Sequence, residues 1–418
     1  MDNRKIVVLV LLLFFCGCTA QDNVSRIAKT ESSQVPPIID KQLRRDLTVY
    51  LDDICQWIMA RDLVSGVLKG ISEEGFQGQK EFKMFIFINS NMARVLLTTS
   101  QITGNQAYKT EAMQWFDVLY NQQQTTISSN IDAAAFWPVC PYMIGSPYNN
   151  IYFGDTGTAT TALAIGYRHA NADRKKLYIR AMKEYANFIM HGSIKDPQSM
   201  GRGAVKSWII HEGPDKGALG CGYYGGRVSK EPYIIATATT GGAFFSELYD
   251  LTGDKRYKQV AEDAVRWILK QRKDDGEIPY ILAGKDPAKW DWPLDTITYC
   301  TEAFIAADTY LDDAQLSSFI KKEVKPTVQW LLDKQNPDGS WGKMRSQDQQ
   351  RSPCCLNLLN WYYYNVEPDP KIAESIRRYC RFLLDPEKSK LYGNKEFVIT
   401  TGFVGLAVAE ILEPGSTF

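Results

Sequence analysis

The sequence has no surplus of either charge: 48 Lys and Arg balance 48 Asp and Glu. Binding to phosphate backbones and membrane surfaces is built on clustered Lys and Arg, so this balance argues against a general nucleic-acid or membrane-surface binder. Cysteine forms no usable pattern. Beyond Cys16 and Cys18 there are Cys55, Cys140, Cys221, Cys300, Cys354, Cys355 and Cys380, an odd set with irregular spacing and no CxxC pair. That is neither a disulfide framework nor a zinc signature, and no metal or other cofactor is implied. Histidine is scarce, with 3 in 418 residues. Long apolar runs are scarce too. The run from Ile6 to Phe15 falls short of the roughly 20 residues that a membrane-spanning helix needs.

That short run has its own meaning. Arg4 and Lys5 precede it, and Cys16, Gly17 and Cys18 follow, the layout of a secretory leader. Its ending resembles a bacterial lipobox, which makes Cys18 the expected lipid attachment site and the mature N-terminus. A plain secretory signal is the alternative. Residues 1–18 are then the signal peptide and 19–39, polar with Pro36 and Pro37, a flexible tether. The expected location is the bacterial cell envelope, on the periplasmic or surface face of the outer membrane, with the lipid as the only membrane contact.

Residues 40–418 read as one domain. Composition is ordinary, with 44% hydrophobic and 23% charged residues. Aromatics are frequent, with 22 Tyr and 10 Trp. Three segments open alike: TGNQAYKTEAMQWF (103–116), NADRKKLYIRAMKEYANFI (171–189) and TGDKRYKQVAEDAVRWIL (252–269). Each has a turn, a tyrosine (Tyr108, Tyr178, Tyr257) and apolar residues at helical spacing, so each predicts an amphipathic helix. Between them lie more uniformly apolar segments rich in Gly, Ala and Thr, at 82–101, 154–170, 233–251, 294–311, 354–365 and 397–412. A helix apolar nearly all round belongs inside a larger protein. Alternation of six inner with five following outer helices, closed by residues 41–60, predicts an all-α (α/α)6 toroid or barrel. A seventh hairpin and a shorter-period α-solenoid are the alternatives.

The turns TGN, NAD and TGD are short, while the return connections near 124–152, 192–231, 272–292, 336–352 and 386–396 are long. All the long ones emerge at one end, beside the N-termini of the inner helices, whose free N–H groups favour anions. The connection 201–231 suggests a loop or β-hairpin lid. It carries His211, the histidine best placed for proton transfer, with Tyr223, Tyr224, Arg227, Lys230 and Glu231. Asn149, Asn150, Tyr152 and Asp155 precede or open one inner helix. Asp155 is there either a helix cap or a functional group. KWDWPLDTITY offers Trp290, Asp291, Trp292, Asp295 and Tyr299, the last one turn beyond Asp295. NPDGSWGKMRSQDQQRS adds Trp341, Arg345 and Arg351. Such aromatic and cationic residues suit an acidic sugar polymer, with Trp341 open to a purely structural role as well.

The chain resembles the α/α-toroid polysaccharide lyases of Bacteroidetes lipoproteins, in particular the glucuronan and alginate lyase group. The likeness is architectural, over residues 40–412. NNIY (149–152) is similar to an Asn-Asn-His signature of one alginate lyase family but lacks the His. The resemblance implies β-elimination on a uronate-containing glycan. A base removes the proton beside the carboxylate, and hydrogen-bonding or cationic groups meet the enolate-like charge. Tyr299 is the first candidate base and His211 the second, with Asn150 and Arg351 as neutralisers. Two other readings stand beside it. One is a glycoside hydrolase on an acidic oligosaccharide, using carboxylates among Asp155, Glu231, Asp291 and Asp295. The other is a non-catalytic glycan-binding lipoprotein. Oligomeric state is not legible.

Overall fold

The computed structural model describes residues 35–60, 86–123, 151–192, 207–224, 227–282, 291–343, 347–389 and 398–418. Cys18, the tether up to residue 34, Asn149, Asn150, Trp290 and Arg345 lie outside them, as do the side chains of Tyr223, Tyr224 and Arg227.

The described chain is a closed double ring of helices. The inner ring consists of α2 (Ile86–Thr103), α4 (Phe153–His169), a continuous α6–π–α7 helix, α9 (Pro293–Tyr310), α13 (Cys355–Asn365) and α15 (Val398–Leu412). In the composite helix, α6 is Ile234–Ala236, the π segment Thr237–Phe244 and α7 Phe245–Thr252. Each inner helix packs on the next, and α15 packs back on α2. The outer ring runs α3 (Gln106–Asn121), α5 (Ala172–His191), α8 (Lys255–Lys270), α10 (Ala314–Glu323) with α11 (Lys325–Lys334), and α14 (Pro370–Leu384). Helix α1 (Lys41–Met59) completes it, packing against α2, α14 and α15. This is the (α/α)6 toroid, with six helical pairs among the described residues.

Local chemistry explains the outer helices. The short inner-to-outer turns each supply an Asn or Asp whose side chain accepts a backbone N–H of the first turn. Asn105 caps α3, Asn171 caps α5, Asp254 caps α8, Asp313 caps α10 and Asp369 caps α14. The recurring tyrosine then links neighbours. Tyr108 of α3 donates to Asp52 of α1 at 2.6 Å, and Tyr178 of α5 donates to Asp117 of α3 at 2.6 Å. Tyr257 instead packs its ring on Phe245, 5.7 Å away.

Small residues let the inner helices approach. A Cβ at Gly157 of α4 would lie 2.5 Å from the backbone N of Thr240 in the π segment, and one at Gly242 would overlap Ala303 of α9. The six described cysteines are all buried and none is in a disulfide.

Two features shape the interior. At the end where inner helices begin, β1 (Ile151–Tyr152), β2 (Gly220–Tyr224) and β3 (Arg227–Pro232) form a small antiparallel sheet in the order β1-β2-β3, with β1 leading directly into α4. This is the expected hairpin. Deeper inside, Arg94 of α2 donates to Glu302 of α9 at 2.6 Å. Those helices sit opposite each other in the ring, so the bridge crosses the barrel axis. Below it, residues 413–418 tuck in. Arg94 also donates to the carbonyl of Thr417 at 3.1 Å, and Thr417 and Gly415 donate to the Glu410 carboxylate.

Candidate active site

The mouth of the toroid is built where α4, α9 and α12 (Gln347–Arg351) begin or end. Phe153, first residue of α4, is fixed by edge-to-face contacts with Trp208 at 4.7 Å and Phe188 at 6.0 Å. That places Asp155 in the first turn of α4, partly exposed. Helix α9 opens with Pro293 and has no side-chain cap of its own. Asp348 of α12 supplies one, accepting the backbone N–H of Asp295 at 2.9 Å. Thr298 of α9 in turn donates to the carbonyl of Arg351 at 2.8 Å. The two elements are thereby fixed to each other, and Arg351 is carried over the start of α9.

Arg351 Nη1 donates to Asp295 Oδ2 at 3.0 Å, and the Asp295 residue is only 1% exposed. The pair leaves two atoms over. Arg351 Nε and Asp295 Oδ1 are both buried without a hydrogen-bond partner among the described residues. Burial raises the Asp295 pKa above the ordinary carboxylate range, and Arg351 opposes part of the rise. Burial also opposes the Arg351 cation, and Asp295 more than offsets this, so its pKa lies above the ordinary value.

Asp155 has no hydrogen bond or ion pair among the described residues, but it feels both members of that pair. Burial pushes its carboxyl up to about 7, with Arg351 opposing and Asp295 adding to the shift. Asp348 is likewise pushed up to about 7 by burial, with the N–H of Asp295 opposing. Tyr299, one turn into α9, is 4% exposed, and its ring meets Phe403 edge-on at 5.9 Å. Burial and then the Asp295 charge hold its hydroxyl well above the usual tyrosine range. An aromatic wall completes the site. Tyr233 and Tyr280 share a hydrogen bond of 3.2 Å, and Tyr280 meets Trp292 edge-on at 5.3 Å. Tyr280 feels Asp295 and Arg351, while Tyr233 feels Asp155.

The two carboxyl groups differ in their partners. Burial shifts both upward, Asp155 to about 7, and Asp295 has a guanidinium bonded to it that opposes the rise. Two carboxyl groups in unlike surroundings can divide acid and base roles within one site. Among the described residues, no group of three or more His, Cys, Asp or Glu side chains is placed to hold a metal ion.

The mouth thus brings together Asp155, Asp295, Tyr299, Arg351 and Trp292 of the expected residues. Other described candidates stand elsewhere. His211 is exposed, 3.0 Å from Ser207 Oγ, on a turn held against outer helix α8 by Trp267 donating to Asp215 and Lys270 to the carbonyl of Pro214. His211 thus stands on a turn fastened to the outer ring, and among the described residues it makes no contact with Asp155 or Asp295 that would suit proton transfer. Lys230 and Glu231 are exposed on β3, with Glu231 accepting from Ser229 at 2.8 Å. Tyr152 is half-buried in β1 opposite Gly222. Trp341 is fully buried, its Nε1 donating to the carbonyl of Leu331 at 2.7 Å and its ring 5.0 Å from Tyr379. It offers no face for a sugar to stack on. Asp348, Tyr233 and Tyr280 escaped sequence reasoning. Asp348 sits in a run of polar residues, and the tyrosines had no spacing to connect them with α9.

No family model matches the chain. Ent-copalyl diphosphate synthase from Streptomyces sp. (strain KO-3988) is 29% identical over 133 residues, 31% of this chain and 22% of that protein. The match therefore spans about a fifth of that relative's length. Solved structures agree over far more. A glycoside hydrolase family 88 protein from Bacteroides vulgatus covers 88% of this chain and 99% of its own, with TM-score 0.58 and 12% identity. An α-1,6-mannanase from Salegentibacter sp. HEL1_6, inactivated at two neighbouring aspartates and bound to α-1,6-mannotriose, covers 87% and 99%, with TM-score 0.56 and 11% identity. A polysaccharide lyase covers 79% and 91%, with TM-score 0.51 and 11% identity. The fold is the α/α toroid. At these identities the likeness fixes architecture and leaves the reaction to the site.

Proposed function

We propose that this protein is a carbohydrate-active enzyme that hydrolyses glycosidic bonds, with Asp155 as general acid and Asp295 as its carboxylate partner. One observation carries the reading. Asp155 is pushed up to about 7 and feels a second buried carboxyl, Asp295, which Arg351 holds by a hydrogen bond of 3.0 Å. Glycoside hydrolysis needs that combination, a proton for the departing oxygen and a carboxylate to activate water or attack the sugar. The toroid neighbours that act on glycans, the mannanase among them, support it. Asp348 positions Asp295 by holding its peptide N–H. Tyr280 and Trp292 offer rings against which a sugar face can lie.

The second reading is β-elimination, favoured by Tyr299 one turn from Asp295 and by a cation at the same mouth. It is weakened by two things. Arg351 is already paired with Asp295, and Tyr299 must lose a proton in a buried site beside a carboxylate. The test is product analysis. The purified protein is incubated with neutral and uronate-containing glycans. New reducing ends without unsaturated sugars support hydrolysis, and unsaturated chain ends establish elimination instead. The lipid anchor is part of the proposal: Cys18→Ser should move the protein out of the membrane fraction.

A further inference from the structure

The charged groups described at the mouth come from three elements. Asp155 stands on α4, Asp295 on α9, and Asp348 and Arg351 on α12, with Asp291 just ahead of α9 also acting on Asp348. Tyr233, Tyr280 and Tyr299 are the neighbouring titratable hydroxyls. Among the described residues here, one cation, Arg351, faces several carboxyl groups, and it is already bonded to Asp295 at 3.0 Å.

Among the described residues, Arg351 Nε is a donor without an acceptor and Asp295 Oδ1 an acceptor without a donor. Arg94 Nε and Glu302 Oε2 are likewise unpaired deeper in the barrel, but the Asp295–Arg351 pair stands at the mouth. Unpaired buried polar atoms are costly, and each is worth satisfying when a ligand arrives. A sugar hydroxyl can donate to Oδ1 and accept from Nε, and two adjacent ring hydroxyls can share the task. A carboxylate only accepts. It would satisfy Nε, leave Oδ1 bare and bring a second negative charge next to Asp295.

We infer that the Asp295–Arg351 pair is a subsite for the hydroxyl groups of an uncharged sugar, so that the enzyme selects neutral glycans over uronates. This deepens the hydrolase reading and rests on the same mouth. It also reverses the acidic substrate expected from the sequence, which counted Arg351 as a free cation. The selection depends on pH. With Asp155 and Asp348 near 7, the described mouth gains negative charge as pH rises through neutrality, and discrimination against a uronate grows in that direction.

The experiment is calorimetric binding to the full chain. Neutral manno-, gluco- and galacto-oligosaccharides are compared with their C6-carboxylate counterparts, at about pH 6 and about pH 8.5. A neutral oligosaccharide should bind at both pH values. Its carboxylate counterpart should bind at least about tenfold more weakly at the higher pH, with a smaller gap at the lower. Equal or tighter binding of the carboxylate at the higher pH overturns the inference, and so does binding of neither class. Asp295→Asn frees the Arg351 charge, so a folded variant should shift its preference towards the carboxylate. Should that variant fail to fold, the comparison on the parent protein still decides. Neutral binding without new reducing ends would sink hydrolysis and leave the subsite standing. Hydrolysis confined to uronate glycans would do the reverse.

Discussion

Arg351 is tied to α9 twice, through its guanidinium to the Asp295 carboxylate at 3.0 Å and through its peptide carbonyl to Thr298 Oγ1 at 2.8 Å. Removing the side chain therefore strands a buried carboxylate. Arg351→Met should destabilise the protein by about 3–5 kcal/mol in chemical denaturation, and Asp295→Asn on top of it should recover part of the loss. The sequence cast Arg351 as a neutraliser of substrate charge, a role that asks nothing of stability. A cost under about 1 kcal/mol would restore that view.

Asp155→Asn removes the proposed acid and should lower turnover by about 10²–10⁴-fold. Wild-type activity should fall as pH rises through about 7, where Asp155 loses its proton. Stability should move the other way in the variant. The folded carboxyl titrates above its unfolded value, so the folded state holds the extra proton between about 4 and 7, and wild-type stability declines as pH rises through that window. At pH 8 the variant should melt higher than the parent, by a gain of about 1–3 kcal/mol. At pH 4 and below the two should nearly coincide. A variant less stable than the parent at pH 8 would mean that the carboxylate has a stabilising partner.

Tyr299→Phe separates the two chemistries. The ring packs on Phe403, so the variant should keep its melting temperature. If Asp155 and Asp295 do the work, turnover should change less than about tenfold, and a drop of 10²–10⁴-fold would return the base role to Tyr299.

Gly157→Ala tests the contact that places α4. Gly157 lies two residues along α4 from Asp155, and the added methyl would press on the backbone of Thr240 in the π segment. A loss of about 1–3 kcal/mol is expected, with a fall in turnover as Asp155 is displaced. Parent-like stability would show that α4 can move away from the π segment at little cost.

The ring was legible because its two layers obey different rules. Outer helices must be amphipathic and must start from a tight turn, which Asn105, Asn171 and Asp254 announce three times over. Inner helices must be small-sided all round, as Gly157 and Gly242 are. The site was legible only in part. Asp295 and Tyr299 share a helix face, and that spacing can be read. That Asp348 caps α9 from a separate element depends on a return connection, and nothing in QDQQR signals it. Residue type alone also could not show the partners of Arg351 and Trp341. The fold binds Arg351 to Asp295, and of the two roles open to Trp341 it shows the structural one, packed at Leu331 and Tyr379.

The Arg94–Glu302 bridge across the axis, backed by residues 413–418, makes the toroid blind-ended. A long polymer cannot run through it like a thread through a bead. Under the proposed hydrolysis it must present a terminus tip-first or lie across the rim, and a fragment cut off inside has to back out by the way it came. For tip-first entry, the distance from the rim to that floor would set how many sugar units of a chain end are held before the bond to be cut.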